Sequence, residues 1–283
     1  AGLAAGFFIG GKYTGLQFAL AAGLVLLAGR GWLARGAAFA GAVLLAGAQW
    51  YSWNAWHAGD PVFPLLFPLL DRADTGLWDA AHHAAFKAGF FADEQVVPKT
   101  PWWAAAYPVA ATLGLLPATE GGRVGLGPLP LMLAPFALAG AWRWRARLRR
   151  HPLTPVVAVA VLFYLLWFFV GSSQRIRHLM VIYPLVLIAM TLATRRVLAG
   201  TGGQRLAGAA LAAVLILHLG GQAVYARTYP PHVLGSEDRA TFLARMVPDW
   251  EAVPWLRARL TPDDRLMVTT RQLLYFLPPD TFF

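Results

Sequence analysis

The residues of this chain best suited to binding an anion lie in one short polar loop, residues 171–178. This loop holds Arg175 and Arg177, with Gln174 and His178 beside them, between two long apolar stretches. Guanidinium groups form bidentate hydrogen bonds with phosphate, and we place such a contact at Arg177 before Arg175. If the apolar stretches cross a membrane, both arginines could instead extend to lipid headgroups, and that alternative stays open.

Two further charged residues could take part in chemistry near an apolar stretch. Lys12 stands beside the end of such a stretch, where a lysine is either a functional group or one that extends its ammonium to the interface. Asp60, in a Gly-Asp-Pro turn, could act as a base or a ligand, or could cap the turn with its carboxylate. The sequence leaves both choices open.

Asp79, His82 and His83 have the i, i+3 and i+4 spacing that can bring a carboxylate and imidazoles together around a metal ion. A solvated helix face has the same spacing, and we prefer that interpretation. We therefore assign no metal site and no cofactor, although the sequence leaves a divalent metal open. The chain has no cysteine, which excludes disulfides and thiolate metal sites.

The distribution of charge indicates what positions these residues. All 14 carboxylates fall within residues 60–120, residues 237–264 and Asp280. Three short segments between apolar stretches carry only basic charge: Arg30 and Arg35; Arg143, Arg145, Arg147, Arg149 and Arg150; and Arg195, Arg196 and Arg205. This is the positive-inside pattern of a protein with several membrane spans. The formal net charge of +10 therefore reflects topology, and we expect no nucleic-acid partner.

Composition and apolar length predict the fold class. Hydrophobic residues make up 58% of the chain and charged residues 13%, far from the values of a soluble domain. Six apolar stretches are close to the ~20 residues that a span needs: residues 13–29, 32–50, 124–142, 153–170, 179–193 and 206–225. Their alternation places all three basic segments on one side. We predict an α-helical multi-span membrane protein with about six transmembrane helices and additional interfacial helices.

We predict two regions along the chain. Residues 1–226 form a transmembrane domain with an outer interfacial segment, residues 51–123. This segment includes an interfacial helix at 75–91 and a second interfacial or re-entrant piece at 101–116, whose prolines argue against a regular span. Residues 227–283 begin a small soluble α/β domain outside the membrane. There we expect a helix capped by Ser236, a helix at 250–260, a strand at 266–270 and a helix at 271–277.

The first ten residues are uncharged but too few to cross ~30 Å of hydrocarbon at about 1.5 Å per residue. No charged segment precedes them, so they lack the pattern of a signal peptide. We interpret them as the end of a helix that starts upstream, and we expect the chain to be part of a longer protein.

Four short motifs, in a fixed order, carry a resemblance to a known family. They are Gly6 with Gly10-Gly11-Lys12-Tyr13-Thr14-Gly15; Asn54 with Gly59-Asp60-Pro61-Val62-Phe63-Pro64; Gly125-Leu126-Gly127-Pro128-Leu129-Pro130-Leu131 with Pro135; and Gln174 with Arg177-His178-Leu179 and Tyr183-Pro184. In this order the chain resembles bacterial GT-C-fold glycosyltransferases, the relatives of protein mannosyltransferases and of the lipid A aminoarabinose transferase. Asp60 stands where that family has Asn, and His178 where it has Tyr.

The resemblance implies an enzyme of the bacterial inner membrane that moves a sugar from a polyprenyl-phosphate donor to an acceptor on the outer face. It places the catalytic carboxylate upstream of Ala1, and the C-terminal tail in the periplasm. It implies that Arg177, and Lys12 with it, face the lipid phosphate. The full set of expected substrate-binding residues is Arg177, Arg175, Lys12, Gln174, His178 and Asp60. The two departures from the family motifs leave the sugar and the acceptor undefined.

Two other classes of protein remain as alternatives. A non-catalytic membrane subunit of a larger assembly, such as a respiratory or light-harvesting complex, would show the same spans and would have membrane-protein partners. A transporter is a weaker alternative, because no predicted span carries a mid-membrane acid and the apolar stretches show no inverted repeat. A carboxylate in an outer loop upstream of Ala1 would favour the enzyme over the subunit.

Overall fold

The chain is helical almost throughout in a computed structural model, which describes most of its residues. The described residues are 1–28, 31–70, 78–116, 125–148, 150–261, 264, 266–268, 273, 275–277 and 281–282, without the side chains of 90–93, 281 and 282. They form two compact units, Ala1–Ala209 and Ala210–Phe283.

The helices follow one another with short connections. In the first unit they are α1 (Gly2–Gly11), α2 (Thr14–Leu27), α3 (Trp32–Ala58), α4 (Phe67–Leu70), α5 (Ala80–Glu94), α6 (Pro101–Thr112), α7 (Pro128–Arg143), α8 (Arg145–Leu148), α9 (Thr154–Phe169), the 3-10 helix Ile176–Val181 and α10 (Tyr183–Leu198). Helix α11 (Gly203–Ala226) crosses the boundary between the units. The second unit continues with α12 (Pro230–Val233), α13 (Arg239–Met246), α14 (Ala252–Arg257), β1 (Leu266–Met267) and β2 (Thr281–Phe282).

Each of the six predicted apolar stretches overlaps a helix of the structure: α2, α3, α7, α9, α10 and α11. Within the described residues, α11 alone is both long and apolar enough to cross a membrane; it has 24 residues, and none of them is buried. Helices α2 and α9 are apolar but shorter, with 14 and 16 residues. Helix α3 has 27 residues and ends eight residues beyond the predicted span. A membrane crossing by these six helices, α11 included, therefore remains a prediction.

Glycines allow α1 and α3 to pack closely with parallel axes. A Cβ on Gly2 would lie 2.8 Å from the carbonyl oxygen of Phe39, and a Cβ on Gly6 would lie 2.6 Å from that of Val43. Farther along both helices, a Cβ on Gly47 would lie 2.6 Å from the Gly6 carbonyl oxygen. Small residues at such crossings let two backbones approach, as in membrane helix pairs.

Helices α2 and α9 run antiparallel. Gln17, near the start of α2, lies against the end of α9, because a Cβ on Gly171 would be 3.3 Å from Gln17 Nε2. One residue further along α2, Phe18 packs against Phe163 in the interior of α9, with their ring centroids 5.9 Å apart. The start of α9 therefore lies at the end of the bundle where α2 finishes.

Helices α7 and α10 run parallel. At their first turns, Tyr183 Oη donates a hydrogen bond to the carbonyl of Leu126. At their last turns, a Cβ on Gly140 would lie 3.2 Å from Val197 Cγ2. The Arg196 guanidinium also lies 5.6 Å from the centroid of the Trp144 ring, a cation–π contact between the two basic segments.

These helix directions divide the first unit into two ends. The basic segments that follow α2, α7 and α10 lie at one end, which we call the basic end. Arg30 and Arg149 lie outside the described residues. The turn at Lys12 and the loop 171–178 lie at the opposite end, which we call the loop end. A buried cluster lies beneath this end, with Tyr107 from α6 packed on Trp167 from α9 at 5.4 Å between ring centroids.

The predicted outer segment contains two helices. Helix α5 begins at Ala80; of the predicted interfacial helix, residues 75–77 lie outside the described residues. Helix α6 begins at Pro101, where Thr100 Oγ1 accepts a hydrogen bond from Trp103 N, and it continues through Pro108. At 12 residues it is too short for a regular span, in agreement with the prediction.

The prediction that Ser236 caps a tail helix is wrong. Asp238 caps α13, because its carboxylate accepts hydrogen bonds from Ala240 N at 2.8 Å and Thr241 N at 3.0 Å. Ser236 Oγ instead donates to the carbonyl of Pro231 at 2.9 Å. A carboxylate also interacts favourably with the positive end of the helix dipole, which a hydroxyl does only weakly.

The rest of the tail contains two short helices and two strands of two residues each, and its assignment as an α/β domain remains a prediction. Helix α14 lies within the predicted helix at 250–260, and β1 lies within the predicted strand at 266–270. Strand β1 pairs in parallel with β2, with Leu266 opposite Thr281. Three of the seven residues of the predicted helix at 271–277 lie outside the described residues, namely 271, 272 and 274. The predicted domain boundary after Ala226 keeps α11 whole, and it remains a prediction.

Candidate anion-binding site

Three separate parts of the chain meet at the loop end. They are the turn between α1 and α2, which carries Lys12; the segment 94–99, which starts at the last residue of α5; and the loop 171–178 after α9, whose last three residues begin the 3-10 helix. The residues of these segments that lie outside helices are held in place by contacts with their neighbours.

Gln174 anchors the loop 171–178 to the segment 94–99. Its backbone N donates to the carbonyl of Glu94 at 2.8 Å, and its side-chain Oε1 accepts from Val97 N at 2.9 Å. Its own carbonyl accepts a hydrogen bond from Tyr107 Oη. The residue is 0% exposed, so it reaches no solvent from this position. Gln174 therefore has a structural part in the site, besides the substrate contact that the sequence predicts.

Lys99 adds a second anchor at the start of the loop. Its ammonium donates to the carbonyl of Gly171 at 2.7 Å. The backbone N of Gly171 in turn bonds to the last carbonyls of α9, at Leu166 and Trp167. The loop thus leaves α9 in a fixed direction.

Glu94 binds two side chains of the loop. Its Oε2 accepts a hydrogen bond from Ser173 Oγ, and its Oε1 forms an ion pair with Arg175 Nη2. The side chain of Glu94 is 8% exposed and that of Arg175 is 29% exposed. One of the two loop arginines is therefore held by a buried carboxylate.

The imidazole of His178 is buried near several charged side chains, and its pKa is lowered. Burial lowers the pKa of its imidazole to about 4, with further lowering by the charges of Lys12, Arg177 and Arg175 and an opposing effect of Glu94. At neutral pH the ring is therefore uncharged. Arg175 and Arg177 belong to the same short loop as His178, and Lys12 lies on the turn before α2, whose Gln17 lies against Gly171 at the start of that loop. Lys12 and Arg177 are both exposed, whereas His178 is buried.

Asp60 caps a turn. Its carboxylate is buried and accepts hydrogen bonds from Val62 N at 2.8 Å and Leu66 N at 3.0 Å. This geometry agrees with the second of the two interpretations that the sequence leaves open. Both oxygens are engaged by backbone amides, so Asp60 is poorly placed to act as a base.

The turn at Asp60 is nevertheless tied to the Lys12 motif. Tyr13 Oη donates to the carbonyl of Phe63 at 2.6 Å, and Asn54 Nδ2 donates to Tyr13 Oη at 3.1 Å. The same amide lies 3.4 Å from the carbonyl of Pro61. Two of the motifs that the sequence places 40 residues apart are therefore neighbours in space.

Asp79, His82 and His83 do not share one face. Asp79 is the N-cap of α5: hydrogen bonds from His82, first from its backbone N at 2.7 Å and then from its ring, lower the pKa of the carboxyl. The His82 side chain is 63% exposed, as predicted. The prediction of a solvated position is wrong for His83, which is buried and stacks on Phe67 with ring centroids 5.4 Å apart. No group of three potential metal-ligating side chains occurs among the described residues.

Sequence reasoning missed Glu94, Ser173, Lys99 and Tyr107. The one available signal was charge: a loop with two arginines on the acid-bearing side calls for a nearby carboxylate. The contacts join residues 67 to 79 positions apart, and no local pattern predicts such pairs.

No family model, curated protein sequence or solved structure matches the chain.

Proposed function

We propose that the chain is the membrane-embedded part of a glycosyltransferase that uses a polyprenyl-phosphate sugar donor. Its lipid phosphate would bind at the loop end, beside Lys12 and Arg177. The observation that carries the proposal is that Lys12 and Arg177 are both exposed on the turn and the loop at the loop end, opposite the basic segments.

The exposed apolar surface of α11 supports the proposal that the chain lies in a membrane. No residue of α11 is buried, and the exposed side chains on it include Leu206, Ile216, Leu217 and Leu219, each more than two-thirds exposed. A soluble surface rarely carries a continuous apolar helix of this length. Such an apolar surface is stable when it faces the hydrocarbon of a lipid bilayer.

The division of charge supports one orientation. Basic segments at one end of a helical bundle face the cytoplasm in bacterial inner-membrane proteins, which would put the loop end outside. A donor that is displayed on the outer face would then meet Lys12 and Arg177 at the interface. The lipid chain would remain in the bilayer.

A topology measurement tests this orientation. A reporter that is active only in the cytoplasm should work when it is fused after Arg150, and one that is active only outside should work when it is fused after Asp264, because three predicted spans precede the first position and six precede the second. Paired alkaline phosphatase and green fluorescent protein fusions provide the readout. The reverse pattern at either position would contradict the predicted topology.

The chemistry that this site would support is limited to the phosphate side of the reaction. In the transfer, the bond between the sugar C1 and the phosphate oxygen breaks, and its electron pair remains on the polyprenyl phosphate. The acceptor's oxygen or nitrogen forms the new bond to C1 and releases its proton to a base. The leaving phosphate gains negative charge, which nearby cations stabilise. We assign the base to none of the described residues, because Asp60 and Glu94 are both engaged by hydrogen bonds.

Binding of a simple lipid phosphate tests the proposal. The purified chain in lipid nanodiscs should bind farnesyl phosphate at least about tenfold more tightly than farnesol, the size of one charge-assisted contact. Quenching of intrinsic tryptophan fluorescence, from 12 tryptophans, can follow the titration. Equal affinity for the two lipids would contradict a phosphate site and would favour a non-catalytic membrane subunit.

A further inference from the structure

The two arginines of the loop 171–178 have different surroundings. Arg177 is exposed at the surface, whereas Arg175 forms an ion pair with the buried carboxylate of Glu94. They are separated by a single residue of the loop. A phosphate that reaches Arg177 is therefore close to a second guanidinium that is already bound to an anion.

The carboxylate of Glu94 is not what fixes the loop in place. The loop is also held by the bond from Gln174 N to the Glu94 backbone carbonyl, by the bond from Val97 N to Gln174 Oε1, and by Lys99 Nζ at the Gly171 carbonyl. None of these three bonds uses the Glu94 side chain. The carboxylate can thus be changed while the anchors remain.

We propose that Glu94 is a specificity-determining residue: by holding Arg175 in a buried ion pair, it limits the positive charge that the loop 171–178 presents to a phosphate. This inference rests on the proposed function. It extends that function by naming the residue that adapts the site to a single phosphate group and not to a diphosphate.

Charge explains the expected preference. A diphosphate carries more negative charge than a monophosphate and gains more from an added cation. While Glu94 is ionised, Arg175 is engaged, and the carboxylate itself repels a second phosphate group. Removing the charge of Glu94 would release Arg175, which at 29% exposure lies at the edge of the surface.

The test compares farnesyl phosphate with farnesyl diphosphate on the full chain in nanodiscs. Glu94→Gln keeps the shape of the side chain and an acceptor for Ser173 Oγ. We expect it to bind farnesyl diphosphate about tenfold more tightly than the unaltered protein does, with a smaller change for farnesyl phosphate. Unchanged affinity for both lipids would overturn the inference.

A double variant distinguishes an effect of the released Arg175 charge from an effect of a less ordered loop. In Glu94→Gln with Arg175→Gln, the released guanidinium is absent, so the gain for the diphosphate should disappear. Glu94→Gln could instead weaken the binding of both lipids, with the double variant binding them no better. Glu94 would then only support the loop, and the inference would be wrong. Glu237→Gln is a matched control, since Glu237 pairs with Arg245 at 2.8 Å in the other unit. It should leave both affinities unchanged.

The unaltered protein provides a test that needs no variant to fold. With Arg175 engaged, its affinities for the two lipids should agree within about threefold, less than one charge-assisted contact would contribute. A diphosphate affinity more than about tenfold tighter would overturn the inference, while phosphate binding itself would stand. If neither lipid binds better than farnesol, the proposed function fails and the inference fails with it.

Discussion

Replacing Arg177 by alanine should weaken binding of farnesyl phosphate by about ten- to a hundredfold, the range for a lost charge-assisted hydrogen bond. The same change should abolish sugar transfer once a donor is known, because the arginine would meet the charge that develops on the leaving phosphate. Arg177 is exposed, so the unfolding temperature should change little. Titration of the variant in nanodiscs and its thermal unfolding provide the two measurements.

Two companion variants make this prediction specific. Arg177→Lys keeps the charge but loses the planar, bidentate geometry, and should bind with intermediate affinity. Arg150→Ala removes an exposed arginine at the basic end and should have no effect on binding. If Arg177→Ala binds farnesyl phosphate as well as the unaltered protein, the arginine contacts only lipid headgroups. The alternative interpretation of its sequence position would then be right.

The helices of this fold could be read from the sequence because they depend on local properties. A long apolar stretch forms a helix wherever its backbone bonds must be satisfied internally, and α7 does so in spite of Pro135 in its interior. Basic residues that follow α2, α7 and α10 then fix their relative directions. The contacts of Gln17 with Gly171 and of Tyr183 with Leu126 agree with those directions.

Contacts between side chains from distant segments of the chain could not be predicted from the sequence. Glu94 ends a helix whose sequence indicates only an interface, and nothing near it in the chain shows that it binds Ser173 and Arg175. His83 looks like part of a polar face, but it is buried against Phe67 because α4 lies beside α5. At Ser236 the failure was local: two potential caps stand two residues apart, and the carboxylate of Asp238 made the stronger bonds.

Replacing Gln174 by alanine should lower the free energy of unfolding by about 2–4 kcal/mol, the largest stability loss that we expect at the loop end. Val97 N would lose the acceptor that lies 2.9 Å away, and a fully buried side chain would leave a cavity. Farnesyl phosphate binding should fall as well, because the loop that carries Arg177 would lose an anchor. Denaturant or thermal unfolding in detergent measures the first effect, and titration measures the second.

Gln174→Met separates the hydrogen bond from the cavity. Methionine has nearly the volume of glutamine, so its cost should be close to the unpaired Val97 amide alone, about 1–3 kcal/mol. It also removes Gln174 Nε2, which is buried without a hydrogen-bond partner among the described atoms, and this moderates the loss. Gln49→Ala is a suitable control, since that exposed amide bonds the carbonyl of Ala46 one turn away. If Gln174→Ala weakens binding but leaves stability unchanged, Gln174 contacts the substrate directly, as the sequence predicts. A loss of both would show that it acts through the loop.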